Sequence, residues 1–196
     1  MPIAHVIFTH PRKDSLNHQL YLNTLDVLKT LGYEIVESDL YQMLKDNHPA
    51  VMPFMAEGDS SEHPLIEKEQ DKIKSSKLTI LQFPLYWFTW PAVLQAYMEQ
   101  VISIGLVPAD KKFLESPLHD GRKIMFSITT GSTVDEYSAE GCNGSIENVF
   151  TPMNTAYRFI GYEIIKPFVF YSARSKTEAE LKQDFEQHKQ HLISCL

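Results

Sequence analysis

Three short stretches of the chain carry residue types able to handle a small ligand. Residues 9–17, THPRKDSLN, set His10, Arg12, Ser15, Leu16 and Asn17 at the opening of a helical pattern. Unpaired N–H groups at a helix start, with the positive end of its dipole, favour an anion by roughly 0.3–1 kcal/mol. Ser15 reads equally as a plain N-cap, and this loop alone does not separate the two readings. Residues 83–91, FPLYWFTWP, crowd Tyr86, Trp87, Phe88 and Trp90 between Pro84 and Pro91. An apolar wall beside backbone amides suits a planar heteroaromatic with polar edges. The alternative is that these rings fill a core or a subunit interface. Residues 129–137, TTGSTVDEY, offer the hydroxyls of Thr129, Thr130 and Ser132, then Tyr137, while Gly131 lets a flat ligand approach the backbone closely.

Other groups carry less. No GxGxxG or GxxxxGK[ST] pattern is present, so neither a dinucleotide fingerprint nor a P-loop is supported. His188 and His191 lie three apart near the end of the last helix and read as an exposed face rather than a metal pair. No metal site is expected. Cys142 has no evident basic partner and reads as inert. Asp135, Glu136 and Glu140 read as a solvated loop.

The elements that must position these loops alternate in type. Strands are expected at Ile3–Thr9, Tyr33–Asp39, Leu78–Phe83, Lys123–Thr129 and Glu163–Tyr171, from short runs rich in β-branched and aromatic residues. The unbroken apolar run of the third places it centrally, covered on both faces. Helical spacing covers residues 15–31, closed by Gly32, then 64–76, then an amphipathic stretch after Pro91. A further helix is expected over 143–160, interrupted or begun at Pro152. The last runs from about Thr177 to Ile193, with Thr177 and Glu180 spaced as a capping box. Residues 45–64 read as a polar loop or flap. Strands separated by helices imply a doubly wound α/β fold of five parallel strands with helices on both faces. In a flavodoxin-like strand order, the turns after strands one, three and four line the crevice beyond the carboxyl ends of the strands. Those turns are the three unusual loops.

At 196 residues the chain suits one domain, residues 1–196, with enough length to bury a core unaided. The net charge of −7 argues against a nucleic-acid binder, which would show a basic face. Only Cys142 and Cys195 are present, which fits a reducing cytoplasm. The N-terminal residues lack the pattern of a signal peptide, and no apolar run approaches the ~20 residues of a membrane span.

FPLYWFTWPAVL closely resembles the signature loop of the flavodoxin-like NAD(P)H:quinone oxidoreductases, which read near FPLYWFSVPAIL there. The likeness continues through His10 and Ser15-Leu16-Asn17, SDLYQM (38–43), SITTGS (127–132), EYSAEGCNG (136–144) and RFIGYEI (158–164), so it covers nearly the whole chain in order. The resemblance implies a homodimer holding a flavin, FAD or alternatively FMN, that takes hydride from NADH or NADPH and passes it to a quinone or similar planar acceptor in a ping-pong cycle. It implies flavin contacts from His10, Ser15, Leu16, Asn17, Pro84, Leu85, Tyr86, Trp87, Phe88, Thr129, Thr130, Gly131, Ser132 and Tyr137. Tyr137 and Asn143 match residues near the pyrimidine edge of the ring that ease charge build-up there, which makes them the catalytic candidates. Trp87, Phe88, Asn143 and Phe159 match the substrate pocket.

The departures also matter. Some relatives carry His where this chain has Asn143, and an amide donates a hydrogen bond without taking up a proton. Ser132 stands where TTGG is usual. Gly105-Leu106-Val107-Pro108-Ala109 replaces a more aromatic GFAY-like run, so acceptor preference is not carried over. The long C-terminal extension of the mammalian enzymes is lacking. Short bacterial members of the family that dock on potassium-efflux transporters supply the alternative reading, a flavin-bearing regulatory subunit. A flavin-free binding module on the same fold is a third, against which the three loops stand.

Overall fold

The computed structural model describes residues 1–52, 63–102 and 121–196. Gly105–Ala109, whose departure bears on the substrate pocket, lies outside them.

The β-branched and apolar runs form β1 (Ile3–Phe8), β2 (Glu34–Asp39), β3 (Leu78–Pro84), β4 (Lys123–Thr129), β5 (Glu163–Ile164) and β6 (Phe168–Phe170). Helices are α1 (Leu16–Thr30), α2 (Leu40–Lys45), α3 (Pro64–Ser75), α4 (Ala92–Tyr97), α5 (Ile146–Phe159) and α6 (Glu178–Cys195). The named strands all pair in parallel, in the order β2-β1-β3-β4-β5, with β6 also on β4. Every residue of β3 is buried, as its apolar run requires of a central strand.

Alternate side chains divide between two helical layers. Ala4, Val6, Phe8, Leu78, Ile80 and Met125 pack with Tyr21, Val27 and Leu28 of α1 and Leu192 of α6. Ile7, Leu81, Phe83, Ile124, Phe126 and Ile128 pack with residues of α2, α3, α4 and α5, among them Leu40, Ile66, Leu94 and Tyr157.

Two expectations are corrected. The single run Glu163–Tyr171 is split into β5 and β6. Ile124 pairs with Ile164 but Ser127 with Phe168, so the edge strand holds one residue more than β4 between the two pairings. Pro167 has no N–H to give a ladder, and the extra residue makes a bulge that shifts the alternation by one. Phe168 and Phe170 consequently meet His188 and Phe185 of α6. Second, α5 is continuous and neither begins nor breaks at Pro152, which sits inside it on an exposed position. Its N-cap is Ser145, whose Oγ accepts from the Glu147 N–H. Between β2 and the 45–64 loop, where the sequence carried no expectation, α2 follows β2 directly, capped by Asp39; residues 53–62 of that loop lie outside the described residues. The capping box at Thr177 and Glu180 is present.

Candidate functional site

The parallel order puts the carboxyl ends of β1, β3 and β4 side by side, and hydrogen bonds join the loops that leave them. Asn17 Nδ2 donates to Thr129 Oγ1 at 3.2 Å across 112 residues of sequence. The Leu85 N–H donates to the Thr129 carbonyl at 2.8 Å. Thr129 thus ties all three loops together.

The first loop is a helix entrance. Ser15 is buried and is the N-cap of α1. Its Oγ accepts from the His18 N–H at 3.1 Å and donates to the Arg12 carbonyl at 2.8 Å. The capping reading therefore holds for this hydroxyl, leaving the amides of Leu16 and Asn17 as the next donors of the helix start. Asn17 is 2% exposed, and its buried Oδ1 has no partner. Buried polar atoms without partners are uncommon and costly. His10 Nδ1 accepts from the Arg12 N–H at 3.1 Å, and burial lowers the pKa of this ring, keeping it neutral near pH 7. Arg12 pairs with Asp14 at 3.2 Å, and Lys13 pairs with Asp39.

The second loop turns back on itself. Tyr86 and Thr89 exchange N–H···O bonds of 3.0 and 3.1 Å, and the residues between them, Trp87 and Phe88, have φ of 51° and 63°. Two consecutive non-glycine residues in the left-handed region cost on the order of 1–2 kcal/mol each, and such strain concentrates at functional sites. Trp87 is 93% exposed and Phe88 51%. Pro84 ends β3 and Pro91 caps α4, so both ends of the turn are fixed.

The third loop supplies the opposite wall. A Cβ on Gly131 would meet no atom within 4 Å, so the backbone there faces open space. The Phe88 and Tyr137 rings meet edge to face, centroids 6.3 Å apart, and Tyr137 continues to Tyr171 at 6.2 Å. Asn143 is held by its N–H to the Glu136 carbonyl at 2.9 Å, and its Nδ2 donates to Ser132 Oγ at 3.0 Å. Gly141 makes this fold-back possible: a Cβ there would lie 2.3 Å from the Asp135 carbonyl oxygen.

His10, Ser15–Asn17, Pro84–Phe88, Thr129–Ser132, Tyr137 and Asn143 therefore lie on three neighbouring, hydrogen-bonded loops. Phe159 does not join them within one chain. It is 53% exposed at the last residue of α5, which starts beside the Tyr137–Asn143 loop and runs roughly 20 Å away from it. Tyr171 was missed by the sequence reading, where it only closed a strand; its signal is its place at the end of the strand beside β4. The exposed reading of His188 is corrected. It is fully buried against Phe168, with Ser127 Oγ 3.2 Å from Nε2 and Asn23 Nδ2 3.0 Å from Nδ1. Cys142 is exposed. Glu136 caps its own loop, accepting from the Thr133 N–H at 2.7 Å. Among the described residues no three His, Cys, Asp or Glu side chains gather as a metal ion would need, and no helix is long and apolar enough to cross a membrane.

A parallel sheet in this order, with polar and aromatic loops gathered at the carboxyl ends of the strands, defines a flavodoxin-like protein, and residues 4–192 match the family model described as flavodoxin-like fold. Within that class the chain belongs to the NAD(P)H:quinone oxidoreductase family. It is 30% identical over 187 residues to NAD(P)H dehydrogenase [quinone] 1 of Rattus norvegicus, covering 86% of this chain and 68% of that one. It is 29% identical over 195 residues to ribosyldihydronicotinamide dehydrogenase [quinone] of Homo sapiens, covering 90% and 84%. Among solved structures, general stress protein 14 of Treponema denticola, in complex with FMN, superposes with a TM-score of 0.72 at 20% identity, over 98% of this chain and 97% of that one.

Proposed function

We propose that the chain is a single flavin-binding domain acting as a quinone reductase, with FAD or FMN in the crevice formed by the three loops. The observation that carries the reading is the joining of the loops at Thr129, around an Asn17 carbonyl oxygen that is buried and unpartnered. A flavin fits what each loop lacks. Its phosphate suits the α1 N-terminus, and its hydroxylated chain offers a donor to Asn17 Oδ1. Its planar ring suits the space at Gly131 beside the strained Trp87–Phe88 turn. When bound, the flavin supplies two-electron chemistry, taking hydride from a reduced nicotinamide and giving it to a quinone in alternate half-reactions.

The protein's part is binding, orientation and electrostatics. The Leu85–Phe88 backbone and the Thr129–Ser132 loop fix the ring plane. Trp87 and Phe88 present faces against which a flat acceptor stacks. Tyr137 and Asn143 offer donors where negative charge gathers on reduction, a kind of stabilisation most effective when preorganised. Phe159 completes the acceptor pocket from a second copy, since it lies far from the loops of its own chain, and the exposed aromatics at the two places would be covered by each other's partner. A homodimer in the cytoplasm, with NADH or NADPH as reductant, is the form this reading requires.

The test is the visible spectrum of the purified protein, followed by anaerobic NADPH and then a quinone, with light scattering to give the mass in solution. A yellow dimer that bleaches and regains its colour is the expected result, and chromatography of the released cofactor separates FAD from FMN. Flavin bound without turnover would move the reading to a transporter's regulatory subunit. A colourless protein that takes up neither flavin would overturn it.

A further inference from the structure

Ser132 and Asn143 lie on two different segments after β4, and each backbone is pinned independently. The Ser132 carbonyl accepts from the Ser172 N–H at 2.9 Å, and its N–H donates to Thr130 Oγ1 at 3.2 Å. Thr130 in turn bonds the Phe170 carbonyl and the Ala173 N–H, both at 2.9 Å. Asn143 is tied to Glu136 through its N–H, and Gly141 lies tightly against the Asp135 and Glu136 backbone. The side-chain bond from Asn143 Nδ2 to Ser132 Oγ, 3.0 Å long, bridges two anchored loops.

That bond has a directional consequence. The terminal torsion of an asparagine is soft and roughly two-fold, so an untethered amide presents oxygen and nitrogen almost interchangeably. Here one Nδ2 hydrogen is taken by Ser132, which fixes the amide plane and leaves the second Nδ2 hydrogen in a set direction. Asn143 Oδ1 lies on the Cys142 side, 3.8 Å from its Sγ. With Oδ1 accepting from Cys142 and one Nδ2 hydrogen given to Ser132, the group the amide has left to offer is its second Nδ2 hydrogen, a donor. A ring edge that gains negative charge on reduction is stabilised by a fixed donor and opposed by a carbonyl oxygen. The two bonded residues are also two of this chain's departures from the loops it resembles: an amide in place of an imidazole, and a hydroxyl in place of a glycine hydrogen.

We propose that Ser132 is a positioning residue that locks the Asn143 amide as a hydrogen-bond donor toward the pyrimidine edge of the flavin. Resting on the reading under Proposed function, it adds what sets the ring's redox balance in this chain.

The test uses the flavin-loaded protein and Ser132→Ala, Ser132→Gly and Ser132→Thr. The midpoint potential is read against a reference dye, flavin affinity by fluorescence quenching and the quinone reaction by kcat/KM. Alanine and glycine are expected to shift the reduced-to-oxidised ratio about three- to tenfold toward the oxidised form, where tenfold is about 30 mV for a two-electron couple. Oxidised-flavin affinity is expected to move less than twofold, and threonine, which keeps the hydroxyl, to restore the wild-type potential. Asn143→Ala should lower the potential as far and make a second change at Ser132 silent. In the cofactor-free protein, slow exchange of the Asn143 side-chain amide protons should be lost in Ser132→Ala, a readout independent of turnover. An unshifted potential in Ser132→Ala, or effects of the two residues that simply add, would overturn the positioning role while leaving the reductase reading intact. A wild-type protein that takes up no flavin would overturn both.

Discussion

Trp87 shows what the site costs at the level of one residue. Its φ of 51° is a region that L side chains enter only under constraint, and Phe88 beside it is at 63°. Glycine adopts this conformation without a Cβ penalty, so the indole must be retained for some use other than folding. Its 93% exposure excludes core packing as that use. Trp87→Gly is therefore expected to stabilise the fold by about 1 kcal/mol while lowering kcat/KM for quinone at least tenfold. Thermal unfolding and steady-state kinetics on the same sample check both halves; a variant that is destabilised would show that the turn is not strained. Of these residues the sequence disclosed the types and the loop, because four aromatics between two prolines have no ordinary role in a connection. It did not disclose the left-handed turn, since no glycine or asparagine marks it.

At the level of elements, α5 carries a local conflict. Pro152 is the seventh residue of a continuous helix, so the Asn148 carbonyl loses the N–H that would close its turn. The helix persists because Val149, Phe150, Met153 and Tyr157 bury one face against β4. Pro152→Ala should raise stability by about 1–2 kcal/mol, the regained helical bond outweighing the freer unfolded chain. Urea unfolding tests this, and a loss of stability would mean the proline ring itself packs usefully. The same conflict explains where reading the sequence failed. Proline is a local signal for a boundary, whereas the burial that overrides it comes from strands distant in sequence. The edge strand failed for the converse reason: EIIKPFVFY is locally a good strand, and only its pairing with β4 shows the bulge around Pro167. Strong local signals were legible from end to end: the β3 apolar run, the Gly32 stop and the Thr177–Glu180 box.

At the scale of the whole molecule, both helical layers rest on a neutral buried histidine. His5 on β1 meets Ser38, whose hydroxyl donates to Glu69, so Ser38 Oγ accepts the His5 Nε2–H at 2.8 Å. His188 on the opposite face accepts from Asn23 at Nδ1 and gives its Nε2–H to Ser127. A proton added to His188 would point at the Asn23 NH2 group and lose that bond. His188 passed for a surface residue in the sequence because its helix is otherwise polar, and only the packing of Phe168 and α1 encloses it. Burial pushes both rings down to about 3, with the positive charge of Lys72 adding to the effect on His5 and His191 to that on His188. Because the folded value lies below the unfolded 6.5, the unfolded chain binds the extra protons between these limits. The stabilisation is thus complete above pH 6.5 and is lost as pH falls toward 3, at about 1.4 kcal/mol per pH unit for each ring once the unfolded one is protonated. His188→Gln keeps a buried hydrogen-bonding group but removes one titration. It should be less stable than wild type at pH 7, and its unfolding free energy should fall more gently between pH 5.5 and 4, by about 1.4 kcal/mol per unit. The two stability curves then converge in acid, and parallel curves over that interval would show that His188 does not titrate on unfolding.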